Sequence, residues 1–227
     1  MERRGRNTKQ KIMQESMKLF SISGFDTVSI RTIAEAVGVG NSALYKHFRS
    51  KKEILDEIVS YSVEYYLEMG KQQMMQIHGL EDLQKACLTM FDFQTKDEWM
   101  VMFRRLLVIE QFKDPEMASF YRKFFIDLPL RSQGDLFRQL MIKGVMKDGN
   151  EKVLAMELYA PFYLYHLSSD SQQDLRELFK VHVKNFWEAN FFGVDSVRYA
   201  NTHLSRIYRS RYTQIKRFTA DSSASPK

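Results

Sequence analysis

The sequence predicts an all-α protein, and three observations support that fold class. Apolar residues recur at intervals of three and four positions over most of the chain, which is the spacing of one face of a helix. From residue 79 onward no segment alternates apolar and polar residues as a half-buried strand would. Only four prolines and ten glycines occur among 227 residues, so long uninterrupted helices are expected. We therefore predict a small N-terminal three-helix domain followed by a C-terminal helical bundle.

Residues 29–48 predict two short helices joined by a tight turn. Ser29 is a favourable N-cap for the first helix, and Gly38 can adopt the left-handed conformation that ends it. In the second helix Leu44 and Phe48 lie one turn apart and are predicted to face inward. The side chains predicted to face outward are those of Asn41, Ser42, Ala43, Lys46 and His47, with Tyr45 on one flank.

This arrangement is the layout of a helix-turn-helix motif, whose second helix reads the major groove of DNA. Spacing alone leaves open an ordinary helical hairpin. Residues 1–53 contain 11 Lys and Arg against 5 Asp and Glu, whereas residues 54–203 carry a net charge of −5 and residues 204–227 a net charge of +5. Basic residues bind DNA by releasing condensed counterions. An anionic membrane surface or plain solvation would also fit this charge.

Residues 1–7 show no apolar periodicity and predict a flexible N-terminal arm. Such arms can become ordered along DNA, and a disordered start that binds nothing is the open alternative. Thr8 is expected to cap the first helix, which runs to about Ser23 and ends at Gly24. The basic residues of the arm are Arg3, Arg4 and Arg6.

A fourth helix is predicted to begin after Ser50. Residues 50–53 form a capping box, in which the serine and Glu53 side chains bind orphan backbone N–H groups. We therefore divide the chain into a helix-turn-helix domain of residues 1–53 and a second helical domain of residues 54–193. Residues 194–227 are expected to form an extra helix and a disordered tail.

The later helices are predicted from apolar spacing and from the prolines. Pro115 suits the first turn of a helix, Pro129 is expected to break or kink one, and Pro161 to bend another. Ser171 is expected to cap the helix that follows it. The predicted ranges are about 80–91, 99–112, 115–128, 130–147, 153–168, 174–191 and 194–218.

The composition argues against several classes of protein. Cys87 is the only cysteine, which excludes an intramolecular disulfide and fits a reducing compartment. The sequence contains no run of eighteen apolar residues and its start lacks the apolar core of a signal peptide, so we expect a soluble, cytoplasmic protein without membrane insertion. It contains no phosphate-binding glycine loop, nucleophile elbow or metal-ligand spacing. We expect neither an enzyme nor a cofactor or metal ion.

Residues 8–55 closely resemble the DNA-binding segment of the TetR/AcrR family of bacterial transcriptional regulators. The resemblance begins with SISGFDTVSI at the end of the first helix and continues through RTIAEAVGVGNSALYKHFRSKKEIL. Within it, IAEAVGV, LYKHF and SKKEIL match the family pattern almost position by position. The resemblance covers about one fifth of the chain and implies sequence-specific binding to double-stranded DNA.

The resemblance also assigns roles within the motif. Asn41 can pair with adenine, Lys46 with guanine, and the Ala43 methyl can touch a thymine methyl. Gly40 departs from the family, which more often has a capping serine there that also contacts phosphate. The implied base-reading residues are Asn41, Ser42, Ala43, Lys46 and His47. The implied arm and phosphate contacts are Arg3, Arg4, Arg6, Thr8, Ser29, Arg31, Thr32, Tyr45 and Lys51.

For residues 54–193 the resemblance implies dimerisation and ligand binding. The expected function is a homodimeric, nucleoid-associated repressor of a near-palindromic operator, released by a small ligand. Thirteen methionines and many aromatic residues favour an apolar ligand. The last two long helices are expected to pair across the dimer through Tyr159, Phe162, Phe179, His182, Phe186 and Trp187. The candidate pocket residues, for which plain core packing is the alternative, are Trp99, Met100, Phe103, Tyr121, Phe124, Phe137, Met141, Tyr163 and His166.

A second functional class remains open. The chain could be a DNA-bound adaptor that acts through a protein partner and needs no ligand. The basic segment of residues 206–217 could serve such a partner, contact additional DNA, or simply be solvated.

Overall fold

The computed structural model describes residues 2–72, 77, 79–167 and 173–192, and this part of the chain is helical. The one β-type pairing within these ranges is an isolated antiparallel bridge between Met146 and Phe191. The all-α prediction is confirmed. The described helices are α1 (Glu2–Ser23), α2 (Ile30–Val37), α3 (Asn41–Tyr45), α4 (Lys51–Gln72), α5 (Leu80–Lys96), α6 (Glu98–Glu110), α7 (Pro115–Arg122), α8 (Leu128–Ile142), α9 (Glu151–Leu167) and α10 (Gln173–Asn190), with a π-helical turn at Lys123–Asp127.

Helix α1 begins earlier than the sequence predicted. It starts at Glu2, so Thr8 lies inside the helix rather than at its cap, and the prediction of a flexible arm over residues 1–7 is wrong for the backbone of residues 2–7. Arginine, glutamate, lysine and glutamine are strong helix formers, and together they outweigh the cost of Gly5. The side chains of Arg3, Arg4 and Arg6 lie outside the described part of the structure.

The chain divides into two compact units, and the first combines the N-terminal helices with a later segment. This unit comprises Met1–Tyr66 and Asp92–Leu128, because α6 packs on α1 and α7 packs on α6. The chain crosses between the two units after residues 66, 91 and 128, whereas the sequence predicted domain boundaries at residues 53 and 193. Its most deeply buried side chains include Phe20 of α1, Leu44 of α3 and Ile58 of α4.

The second unit comprises Leu67–Phe91 and Pro129–Lys227, and its described core is rich in aromatic rings. Phe91 stacks on Phe179 at 4.9 Å between ring centroids, and Phe137 lies 5.4 Å from Phe186. Asn150 precedes α9, where its side-chain oxygen accepts from the N–H groups of residues 152 and 153. The capping oxygen fixes where α9 begins.

This core contains most of the residues that were predicted to lie across a dimer interface. Tyr159, Phe162, Phe179, Phe186 and Trp187 are all buried within the second unit. Their side chains pack inside one copy of the chain and leave little surface for a second copy, so their contact with a second copy stays a prediction. The sixth candidate, His182, is half-buried, and its Nε2 lies 3.0 Å from the carbonyl oxygen of Glu157.

Pro129 neither breaks nor sharply ends the helical segment around it. The chain passes from the π-helical turn directly into α8. Proline lacks the N–H group that would donate to the carbonyl of Phe125 in a continuous α-helix. Instead the N–H of Leu128 donates to the carbonyl of Lys123, five residues earlier, which is the hydrogen bond of a π-helix. The predicted break is therefore replaced by a local change of helix type.

Other sequence-based expectations lie outside the described residues. These are the cap at Ser171, the extra helix at residues 194–218, the disordered tail and the basic segment at residues 206–217. Among the helices that the structure does describe, none is long and apolar enough to cross a lipid bilayer.

Candidate DNA-binding site

The local geometry of residues 29–39 is that of the first helix and turn of a helix-turn-helix motif. The Oγ of Ser29 accepts a hydrogen bond from the N–H of Thr32 at 3.0 Å and so caps α2. Gly38 ends α2 with φ 78° and ψ 35°, a left-handed conformation that a residue with a side chain rarely adopts. The N–H groups of Gly38 and Val39 both donate to the carbonyl of Ala34. The cap and the glycine turn predicted from the sequence are confirmed.

Helix α3 presents one face to solvent and buries the other. Leu44 and Phe48 are buried, as predicted. The helix itself ends at Tyr45, and the next two residues form a turn, so the helical part of the recognition segment is shorter than the predicted residues 41–48. Asn41, Ser42 and Lys46 are exposed, Tyr45 is 53% exposed, and Ala43 and His47 are half-buried. The predicted reading face is thus assembled on one side of a short, well-packed element.

The candidate phosphate contacts on α2 lie at its exposed start. The Oγ of Ser29 lies 2.8 Å from Oγ1 of Thr32, so both hydroxyls are within one local cluster. Arg31 is exposed and its Nε pairs with Glu35 at 2.9 Å. An exposed pair of this kind contributes little to stability and can be exchanged for a phosphate. Contact of these residues with phosphate stays a prediction, as it does for Thr8 within α1.

Lys51 is engaged inside the protein, which does not fit its predicted role as a phosphate contact. Its Nζ donates to the carbonyl oxygens of Phe25 at 2.7 Å, Val28 at 2.8 Å and Asp26 at 3.3 Å. The same atom lies 4.3 Å from the centroid of the Phe25 ring. An ammonium group has three N–H donors, and three carbonyl oxygens surround this one.

A residue that the sequence reasoning missed holds the same turn from another helix. Glu110, at the end of α6, is 3% exposed, and its Oε1 accepts from the N–H of Phe25 at 2.8 Å. Lys113 lies 3.4 Å from the same oxygen. The two partners Phe25 and Glu110 are 85 positions apart, so no local motif connects them. The only signal in the sequence is that Glu110 follows the apolar residues Phe103 and Leu107 at the spacing of one helical face.

The start of α3 lacks a side-chain cap. Gly40 occupies the N-cap position with φ −76° and ψ 154°, a conformation open to any residue, and no side chain bonds to the first N–H groups of the helix. A β-carbon added at Gly40 would meet only the hydroxyl of Ser42, at 4.0 Å. The site therefore has room for a larger residue.

Comparison with known proteins identifies this region. The model of "Bacterial regulatory proteins, tetR family" matches residues 12–58, which contain the whole motif described above. Residues 12–58 therefore carry the DNA-binding segment of the TetR family. The resemblance of this segment to helix-turn-helix transcriptional regulators, read from the sequence, is confirmed.

Proteins similar to this chain include two curated regulators. An HTH-type transcriptional regulator of Bacillus subtilis (strain 168), YerO, is 36% identical over 75 residues, which cover 33% of this chain and 24% of YerO. An HTH-type transcriptional regulator of Staphylococcus aureus (strain bovine RF122 / ET3-1) is 22% identical over 153 residues, covering 66% of this chain and 82% of the relative. The chain thus spans about a quarter of the first relative and most of the second.

A solved structure extends the similarity of fold to most of the chain. SmeT, the repressor of a Stenotrophomonas maltophilia multidrug efflux pump, has a structure in complex with triclosan. That structure covers 83% of this chain and 94% of its own, with a TM-score of 0.62 and 19% sequence identity. At 19% sequence identity, this similarity shows that the two proteins share a fold.

The candidate ligand-binding residues predicted from the sequence fall in two sets. In the first unit the indole N–H of Trp99 donates to Ser62 Oγ at 2.8 Å, and the Tyr121 ring lies 5.6 Å from that of Phe125. Met100, Phe103 and Phe124 are buried there. In the second unit the candidates, in contact with core neighbours or packed among them, are Phe137, Met141, Tyr163 and His166. Ligand binding by either set stays a prediction.

The open cap generates a test. Gly40→Ser should raise the free energy of unfolding by a few tenths of a kcal/mol, because a serine hydroxyl can accept from the uncapped N–H groups of α3. It should also tighten DNA binding, since the hydroxyl can donate to a phosphate. Thermal unfolding and fluorescence anisotropy with DNA measure the two effects. Gly40→Ala adds the β-carbon without the hydroxyl and serves as the control; a serine variant that behaves like the alanine variant contradicts the capping role.

Proposed function

We propose that the protein is a homodimeric repressor that binds a near-palindromic operator and is released by a small apolar ligand. The observation that carries the proposal is the exposed polar face of α3, held on a helix-turn-helix whose cap and turn are formed. The net charge of +6 over residues 1–53, from 11 basic and 5 acidic residues, favours DNA as the partner. Binding to an operator would place the protein on the nucleoid.

Base reading is assigned to the side chains that project from the reading face. The amide of Asn41 can bond to adenine and the ammonium of Lys46 to guanine, while Ser42 and His47 can bond to either edge. Ala43 offers a methyl group for contact with thymine. Tyr45, which is exposed beside them, is assigned to a phosphate. Such a division is usual, because phosphate contacts set position and base contacts set sequence preference.

The proposed dimer uses exposed apolar residues of α9 and α10 in place of the buried set predicted from the sequence. Val153, Met156 and Leu164 follow the spacing of one face of α9 and are each more than half exposed. On α10, Leu178 is 63% exposed and Val181 is 54% exposed. Apolar side chains grouped on paired helices are typical of a subunit interface. A two-fold dimer presents two recognition helices to half-sites about one DNA turn apart, which predicts the near-palindrome.

The proposed ligand is apolar because the interior of the first unit is lined with rings. Tyr66 lies 6.0 Å from Phe124 and 6.1 Å from Phe93, measured between ring centroids, and burial raises its pKa above the usual range. The triclosan complex of SmeT is consistent with an aromatic ligand in a protein of similar fold. To shift a two-state equilibrium from 1:99 to 99:1, the ligand must favour one state by roughly 5.5 kcal/mol.

Substitutions on the reading face test the DNA assignment. Once an operator is selected from a random DNA pool, Lys46→Ala and Asn41→Ala should each lower the preference for operator over random DNA by about 1–3 kcal/mol, the value of one bidentate base contact. Anisotropy titrations with both DNAs measure this preference. Arg131→Ala, which removes an exposed charge on α8, should leave the preference unchanged. Equal losses on both DNAs would mean that the recognition helix is misassigned.

The interface assignment is tested by placing charges on α9 and α10. Leu164→Glu and Leu178→Glu should shift the protein from dimer to monomer, because carboxylates would be desolvated at an apolar contact. Sedimentation equilibrium measures the mass at several concentrations. Ile142→Glu, at a residue of α8 that is 72% exposed, is the matched control and should stay dimeric. Unchanged dimerisation in both interface variants would rule out this face.

A ligand screen separates the repressor from the adaptor alternative. A compound present at about 100 times its Kd should raise Tm by about 5–10 °C, since binding then adds about 2.7 kcal/mol to the free energy of unfolding. The same compound should release operator DNA. An unchanged melting point across a broad apolar library, with DNA still bound, would favour an adaptor that acts through a protein partner.

A further inference from the structure

The turn between α1 and α2, residues 24–29, depends on side chains from two other helices for its backbone hydrogen bonds. Asp26 and Thr27 are exposed, Phe25 is half-buried and Val28 is buried. The ring of Phe25 lies 5.3 Å from that of Phe20 on α1, and the N–H of Gly24 donates to the carbonyl of Phe20. The backbone groups of residues 25, 26 and 28 bond instead to side chains of α4 and α6.

The two peptide groups that flank Phe25 in this turn are held by opposite charges. The N–H of Phe25 donates to the buried carboxylate of Glu110 on α6, at 2.8 Å. The carbonyl oxygen of the same residue accepts from the ammonium of Lys51 on α4, at 2.7 Å. Hydrogen bonds to charged groups are stronger than those between neutral groups. The two charges therefore fix the position of the turn relative to both helices.

Lys51 also bonds to the residue that comes just before the N-cap of α2, the first helix of the helix-turn-helix motif. Its third close acceptor, at 2.8 Å, is the carbonyl oxygen of Val28, which immediately precedes the N-cap Ser29. The orientation of α2 follows from where its N-cap is held, and α3 is joined to α2 by the three residues 38–40. Ties at residues 25 and 28 thus set the direction in which the reading face of α3 points.

We propose that Lys51 and Glu110 are positioning residues for operator recognition, which hold the turn of residues 24–29 and do not themselves contact DNA. This inference rests on the proposed DNA-binding function. It replaces the phosphate contact that the sequence assigned to Lys51, because a lysine whose donors are shared among three carbonyl oxygens must release one of them to bind a phosphate.

The salt dependence of DNA binding separates positioning from phosphate contact. Lys51→Gln and Lys52→Gln remove the same charge at adjacent residues, and Lys52 is an exposed residue paired with Asp56 and Glu116. The slope of log K against log salt should be the same in both variants. The ratio of operator to random affinity should fall about tenfold in Lys51→Gln only, the size of losing one hydrogen bond to a charged group. The proposal would be overturned if the salt slope of Lys51→Gln were smaller by about one than that of Lys52→Gln and if Lys51→Gln lost equal affinity for operator and random DNA.

Glu110 supplies a second and independent arm of the experiment. Glu110→Gln keeps an acceptor for the N–H of Phe25 and should retain most of the operator preference, whereas Glu110→Met removes the acceptor at similar volume and should lower the preference about tenfold. Glu116→Gln, at an exposed residue of α7, is the control. The double variant Lys51→Gln with Glu110→Met should lose less than the product of the two single losses, because both act on one turn. An operator preference unchanged in Glu110→Met would overturn the proposal.

Amide hydrogen exchange measures whether the turn is held without any DNA present. It therefore tests the structural part of the inference even if the protein does not bind DNA. Exchange at residues 25–30 should be faster in Lys51→Gln and Glu110→Met than in the two control variants. Equal exchange in all four would show that these side chains do not hold the turn, and would overturn the inference. A wild-type protein that selects no sequence from the random pool would instead overturn the DNA-binding function and the recognition role, whatever the exchange rates.

Discussion

The three N-terminal helices, α1 to α3, depend on hydrogen bonds from side chains of other helices, because their own core is too small to hold them rigidly. A few buried side chains from α1, α2 and α3 form a thin core, and small cores contribute little net stability. The backbone of Phe25 is tied to two other helices: its N–H donates to the buried carboxylate of Glu110 and its carbonyl accepts from the ammonium of Lys51. Glu110 lies on α6, which belongs to the first unit although it begins about 50 residues after the motif ends.

Features determined by neighbouring residues were predictable from the sequence. The cap at Ser29, the left-handed Gly38 and the alternation of buried Leu44 and Phe48 with an exposed face all depend on contacts within a few positions. The partners of Lys51 are 23 to 26 positions away, and that of Glu110 is 85 positions away. Such contacts are created by tertiary packing, so local chemistry gave no reason to expect them.

The helix bundle shows a second limit of sequence reasoning. Aromatic residues at helical spacing in α9 and α10 identify a buried face, yet the pattern does not say whether the face is covered by the same chain or by another copy. Here Phe162 and Phe179 pack within one chain, 5.1 Å apart between ring centroids. The exposed face is aliphatic and includes Leu164 and Leu178.

Gly40, at the start of α3, separates two properties of DNA binding that are usually coupled, namely affinity and sequence preference. In the proposed complex with DNA, sequence preference resides in side chains further along the segment, and a group at residue 40 lies beside the sugar–phosphate backbone. The surrounding space is open, so the grip on DNA can be strengthened there without disturbing which bases are read. A single substitution at residue 40 therefore offers a way to change affinity and specificity independently.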